Sequence, residues 1–146
     1  MKSVVITGST KGIGLGLAEE FLKKGCSVTL SGRNKNKLEK EVKRLGEEFG
    51  QDKVIGKTCD VTDITQLQAL WDFAKQKWSK VDIWVNNAGI TNLTRLLWEV
   101  DPAEIAPVIN TNITGIILGI VIDRIYNLFL NYRAKHLQML LYNHTE

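Results

Sequence analysis

The sequence predicts an α/β fold in which parallel strands are joined by right-handed helical crossovers. Two observations predict it. Short apolar, β-branched runs alternate with longer segments whose apolar residues recur every three or four positions, in the order β-α-β-α-β-α-β-α. The first of those runs passes directly into a glycine-rich turn and then into a helix. Composition agrees with a folded domain: 44% of the 146 residues are hydrophobic and 24% charged, which excludes a disordered chain.

The elements follow in order. Ser3–Thr7 is the first strand, and Gly8–Gly14 is the glycine-rich turn. Ile13–Lys24 reads as a helix with Leu17, Ala18, Phe21 and Leu22 on one face, and Gly25 stops it. Ser27–Ser31 is the second strand. A helix over Lys35–Phe49 follows, its stripe formed by Leu38, Val42, Leu45 and Phe49. Lys53–Thr58 is the third strand. Thr62 or Asp63 then caps a helix carrying Ile64, Leu67, Leu70, Trp71, Ala74 and Trp78 as a core stripe. Val81–Val85 is apolar apart from Asp82, as expected of a strand buried on both faces. Asp101-Pro102 is a helix-start pair, Pro107 restricts where the helix settles, and a helical segment is expected from Val108 to about Ile125. There is no internal repeat.

Several function classes are excluded. Two cysteines make no disulfide framework, and no His/Cys cluster suggests a metal site; Cys26 and Cys59 are expected as free core thiols. A net charge of +3 does not call for nucleic acid. Val4–Ile6 is too short for a signal-peptide core. The longest apolar stretch, Ile116–Ile122, falls short of the about 20 residues that span a bilayer. No membrane is therefore expected, and a reducing cytoplasm is the expected compartment. The sequons at Asn92, Asn112 and Asn143 are then accidental, and His136 and His144 are surface residues of the tail.

The turn Thr7-Gly8-Ser9-Thr10-Lys11-Gly12-Ile13-Gly14 is the first chemical signal. Gly8 permits a tight turn, while Gly12 and Gly14 let backbone approach a pyrophosphate and let helix pack on strand. The helix N-terminus adds free N–H groups and partial positive charge. The spacing is neither G-x-G-x-x-G nor the P-loop pattern.

At these residues the chain resembles the short-chain dehydrogenase/reductase family, whose T-G-x-x-x-G-x-G is matched by Thr7, Gly8, Gly12 and Gly14. Three further matches follow in the family's order: Asp60-Val61 after the third strand, Asn86-Asn87-Ala88-Gly89 after the fourth, and Asn112 within Asn110-Thr111-Asn112. The resemblance covers Lys2–Ile120. It implies a Rossmann-like doubly wound parallel sheet, truncated after about four strands in the order 3-2-1-4. Residues 1–120 would be the NAD(P)-binding half-domain, and 121–146 a divergent helical tail. It also implies a dinucleotide site over Gly8, Ser9, Thr10, Lys11, Gly12, Ile13, Gly14, Arg33, Asp60, Val61, Asn87, Ala88 and Gly89. Asp60 would lie against the adenine, and Asn112 would help hold a proton-relay water.

After the second strand the chain reads Ser31-Gly32-Arg33-Asn34, with no carboxylate for a ribose 2′-hydroxyl. Arg33 can meet a 2′-phosphate through its planar fork and Lys11 can add a second charge, so NADP is expected over NAD. The family's proton-transfer groups are a Ser and a Tyr-x-x-x-Lys. Here no Ser follows Asn112 and no Tyr-x-x-x-Lys occurs; the last Ser is Ser79. The resemblance thus implies carbonyl or alcohol oxidoreduction, while the residues leave open a non-catalytic dinucleotide-binding module, a truncated isoform that joins another subunit, or an α/β interaction domain with a merely structural loop. The fourth strand and the helix near 108–122 would be left with uncovered apolar surface, so marginal stability or self-association is expected.

Overall fold

In the computed structural model, residues 1–91 and 96–123 are described. The sheet is parallel, with strands β1 (Ser3–Ile6), β2 (Ser27–Gly32), β3 (Val54–Thr58) and β4 (Ile83–Val85) in the order β3-β2-β1-β4. The order is the expected one. Helices α1 (Gly12–Lys23), α2 (Lys35–Phe49) and α3 (Ile64–Trp78) make the crossovers.

Period-two alternation in the strands divides the core into two layers. Val4, Ile6, Val28 and Leu30 face α1 and α2, packing on Ala18, Leu22, Leu38 and Leu45. Val5 faces the opposite side, with Leu67, Leu70, Trp71 and Ala74 of α3 and Ile122 from the last helical stretch. Because α1 and α2 cover one face and α3 the other, the chain reverses direction across β1 and β4. In open parallel sheets that reversal leaves a crevice at the carboxyl ends of the strands.

Caps place the helices. Asn34 accepts from Lys37 N–H at 2.9 Å at the start of α2. Asp63, rather than Thr62, caps α3, accepting from Thr65 N–H at 2.8 Å. Hydrogen bonds from Thr65 and Gln66 hold the Asp63 carboxyl at about 2.

Two expectations are corrected. The fourth strand is Ile83–Val85, not Val81–Val85, and its residues are half-buried rather than enclosed. It is the outermost strand on its side among the described residues, whereas β1, flanked by β2 and β4, is wholly buried. The final helix does not wait for Val108. α4 spans Pro102–Ile109, capped by Asp101, with Pro107 inside it. The missing Pro107 N–H removes one rung of the ladder. The helix then widens into a π turn at Asn110–Thr114, where Gly115 N–H bonds the Asn110 carbonyl, and residues 115–123 continue as helix.

Pro102–Asp123 is thus one helical run of 22 residues, long and apolar enough to cross a membrane by length and composition, and 22% buried over its most apolar window. Polar Asn110, Thr111, Asn112 and Thr114 split the run in the sequence and hide its length. The expected tail from 124 onward lies outside the described residues, as do Asn92, Asn143, His136 and His144.

Candidate functional site

A cleft of about 570 Å³ opens at the carboxyl ends of all four strands. The chain leaving β1 forms one wall, the segments after β2 and β3 form a second, and the segment after β4 forms the third. Gly8, Thr10, Lys11, Gly12, Ile13 and Gly14 line it from the glycine turn. Arg33, Asp60, Val61, Asn87, Ala88 and Gly89 line it from the other strand ends.

The turn is shaped by close approach. Gly8 has φ +65°, and a Cβ there would sit 2.6 Å from Ala88 Cα. A Cβ on Gly14 would collide with Asn87 Nδ2 and lie 2.7 Å from the Gly8 carbonyl oxygen. Gly12, at φ +58°, faces open space. Bare backbone therefore borders the cleft where α1 begins. Lys11, at the N-cap of α1, makes no side-chain capping bond, so the first-turn N–H groups carry no side-chain shield. Such a helix end is an anion site of the kind a diphosphate occupies.

Polar groups just beyond β1 and β4 fasten the cleft's base. The Thr7 hydroxyl accepts from Asn87 N–H at 3.0 Å and Ala88 N–H at 3.1 Å, and donates to the Val85 carbonyl at 3.2 Å. Asn87 Nδ2 donates to the Thr7 and Gly8 carbonyls, both at 3.0 Å. The Asn87 amide thus sits under the glycine turn as a spacer, with its nitrogen consumed by backbone oxygens.

Charge in the cleft has two signs. Lys11 and Arg33 are exposed, and neither has a carboxylate partner among the described residues. Asp60 follows β3, its Oδ1 accepting from Thr62 N–H at 3.0 Å and the Thr62 hydroxyl at 2.8 Å. Cys59 lines the same region but is 3% exposed, and burial pushes its thiol up to about 12, with Asp60 and Asp63 adding to the effect. It is a neutral wall residue.

Two predicted site residues, Ser9 and Asn112, are not among the residues that line the cleft. Ser9 is fully buried and does not line the cleft. Its hydroxyl donates to the Ile6 carbonyl at 2.8 Å and accepts from Ser31 N–H at 2.9 Å, joining β1 to β2. A small side chain inside a turn that crosses a sheet end is drawn to the unpaired strand-end groups. Asn112 is tied to backbone: its Oδ1 accepts from Ile90 N–H at 2.9 Å, and its Nδ2 donates to the Ile90 carbonyl at 2.8 Å. Its amide holds the helix against the segment after β4, a positioning role. Gly32, Ile90 and Thr111 also line the cleft. Gly32 and Thr111 are neighbours in sequence of Arg33 and Asn112. Gly32 gives Thr10 room, since a Cβ there would lie 2.9 Å from Thr10 Cγ2.

This geometry has close relatives. A family profile described as short chain dehydrogenase matches residues 2–122. A chloroplastic chlorophyll(ide) b reductase of Oryza sativa subsp. japonica is 43% identical over 117 residues, covering 80% of this chain and 34% of that protein. A 3alpha-hydroxysteroid dehydrogenase of Mediterraneibacter gnavus is 30% identical over 115 residues, covering 79% of this chain and 46% of that one. Among solved structures, an NAD complex of a short chain dehydrogenase/reductase from Burkholderia phymatum superposes with TM-score 0.76 at 32% identity, over 83% of this chain and 42% of that one. Actinorhodin polyketide ketoreductase with NADPH gives TM-score 0.77 at 29% identity, over 84% and 46%. The chain spans about a third to a half of the length of these relatives.

Proposed function

From its membership of the short-chain dehydrogenase/reductase family, we propose that this chain holds NADP(H) in the cleft and is the cofactor-binding portion of a carbonyl reductase. The observation that carries the reading is the joining of a bare, uncapped helix start to two cations, Lys11 and Arg33, without a carboxylate partner among the described residues, in one cleft. The first-turn amides of α1 receive the diphosphate. Arg33 and Lys11 receive the 2′-phosphate that distinguishes NADP from NAD. Asp60 and Val61 border the adenine, and Asn87 to Gly89 border the nicotinamide end. When bound, the cofactor supplies or accepts the hydride.

A proton must reach the alkoxide that hydride transfer creates. The 146 residues contain no Tyr-x-x-x-Lys and no Ser beyond Asn112, so in our reading this chain binds the dinucleotide but does not turn over alone. Identity of 43% to a chlorophyll(ide) b reductase favours the reductive direction and a carbonyl substrate for a protein that carries the whole fold.

Titration of NADPH and NADH by nucleotide fluorescence tests the cofactor reading. NADPH is expected to bind more tightly. Arg33→Ala should weaken NADPH by about tenfold, the lower range for a charged hydrogen bond at an exposed site, and leave NADH unchanged. Equal affinities for the two nucleotides sink the preference. Carbonyl-dependent NADPH oxidation by this chain alone sinks the proposed inactivity.

A second reading is favoured by one observation: Ile105, Ile109, Ile113, Ile117 and Ile120 are all exposed along the final helical run. That face and the outer edge of β4 would join another chain of the family. Sedimentation velocity at micromolar concentration is expected to show a species larger than 16.4 kDa. A single monomeric boundary rejects the association.

A further inference from the structure

The far edge of the sheet carries a second groove, apart from the cleft at the strand ends. Val28 N–H donates to the Lys53 carbonyl at 2.8 Å, and Cys59 N–H donates to the Gly32 carbonyl at 3.2 Å. In a parallel ladder alternate residues direct both backbone groups to the same neighbour. Positions 53, 55, 57 and 59 therefore face β2, while Val54, Gly56 and Thr58 face outward. No strand lies beyond β3 among the described residues.

Gly56 and Thr58 line a groove of about 480 Å³ between α2 and α3. Its apolar lining is Leu38 and Val42 from α2 and Phe73 from α3. A Cβ on Gly56 would press on Val42 and lie 3.1 Å from Leu38 Cδ1, so glycine keeps the edge open next to that apolar wall. The rim is cationic: Lys35, Lys43 and Lys57 stand against Glu39. Lys35–Glu39 at 3.7 Å and Lys43–Glu47 at 3.9 Å are long, exposed pairs that hold their lysines weakly. Lys57 has no carboxylate partner among the described residues, and its ammonium lies 5.4 Å from the Phe73 ring centre.

We propose that this edge binds an extended acidic peptide as an added strand. The peptide's backbone pairs with Gly56 and Thr58. Its side chains alternate, one set packing on the Val42 side and reaching the α2 lysines at the rim, the other placing carboxylates at Lys57 beside Phe73. A second copy of this chain is disfavoured, because pairing β3 with β3 brings two lysine-rimmed edges together.

The test titrates the full chain into a fluorescein-labelled nine-residue peptide of three Glu-Glu-Val repeats, which puts glutamates on both faces of the added strand, read by anisotropy. Saturable binding is expected. Lys57→Glu should weaken it by about fivefold, and so should Lys43→Glu, an exposed helix position that does not threaten folding. The same peptide N-methylated at alternate amides keeps its charge, cannot pair with the edge, and should not bind. Binding that survives N-methylation, or that ignores both charge reversals, overturns the proposal. No saturable binding of the peptide, together with a dimer in sedimentation velocity whose dissociation changes on Lys57→Glu, overturns it in favour of a second copy.

Discussion

Gly8→Ala is expected to lower stability by about 2–4 kcal/mol and to abolish dinucleotide binding. Roughly 1 kcal/mol comes from forcing a Cβ into the left-handed region at φ +65°. About 1–3 kcal/mol comes from overpacking, since the new carbon would lie 2.6 Å from Ala88 Cα and 3.1 Å from Ala88 N. These are backbone atoms pinned by the Thr7 hydroxyl, so they cannot withdraw without releasing the Asn87 and Ala88 amides. Thermal unfolding followed by circular dichroism should show a midpoint lower by on the order of 10 °C. Gly12→Ala is the control. It shares the positive φ but meets open space, so its cost should stay near about 1 kcal/mol. Equal losses for the two variants would show that packing against Ala88 does not govern the turn.

Trp71→Ala is expected to cost about 3–5 kcal/mol, the range for removing a buried indole. Trp71 is 1% exposed in the layer between α3 and the sheet, with its ring 5.8 Å from that of Trp84 on β4. A single domain holds only about 5–15 kcal/mol in total, so the variant should sit close to its unfolding threshold. Urea unfolding should show a lower midpoint with an unchanged slope, because the surface exposed on unfolding is nearly the same. Trp98, 80% exposed, supplies the contrast, and its replacement by Ala should shift stability by less than about 0.5 kcal/mol. A Trp71 effect as small as that would mean α3 does not hold the sheet's second face.

Much of this was legible in one dimension because it depends on local rules. Alternating periods place β1 to β4, and a parallel sheet follows from helical crossovers. Gly8, Gly12 and Gly14 announce the turn, because only glycine tolerates the φ or the contact required there. Arg33 stands out by the missing acid beside it. What stayed hidden depends on neighbours remote in sequence. Ser9 looks like a loop residue until Ile6 and Ser31 are placed around it. The direction in which Asn112 spends its amide is set by Ile90, across the end of β4. Pro107 reads as a break, yet a π turn absorbs the misfit within the same helical run. Lys57 and Phe73 belong to different elements, and only the packing of α3 against β3 brings them together.

The Asn87 spacer has a consequence in time. The glycine turn takes its shape from an amide 80 residues further along the chain. At a synthesis rate of about 5–20 residues per second, the turn emerges roughly 4–16 s before the group that fixes it. During that interval β1 and α1 can form locally, but Gly8 and Gly14 have nothing to close against. The glycine turn therefore stays incomplete until the segment after β4 has been made. Its assembly waits on a long-range contact rather than on the local signals that announce it.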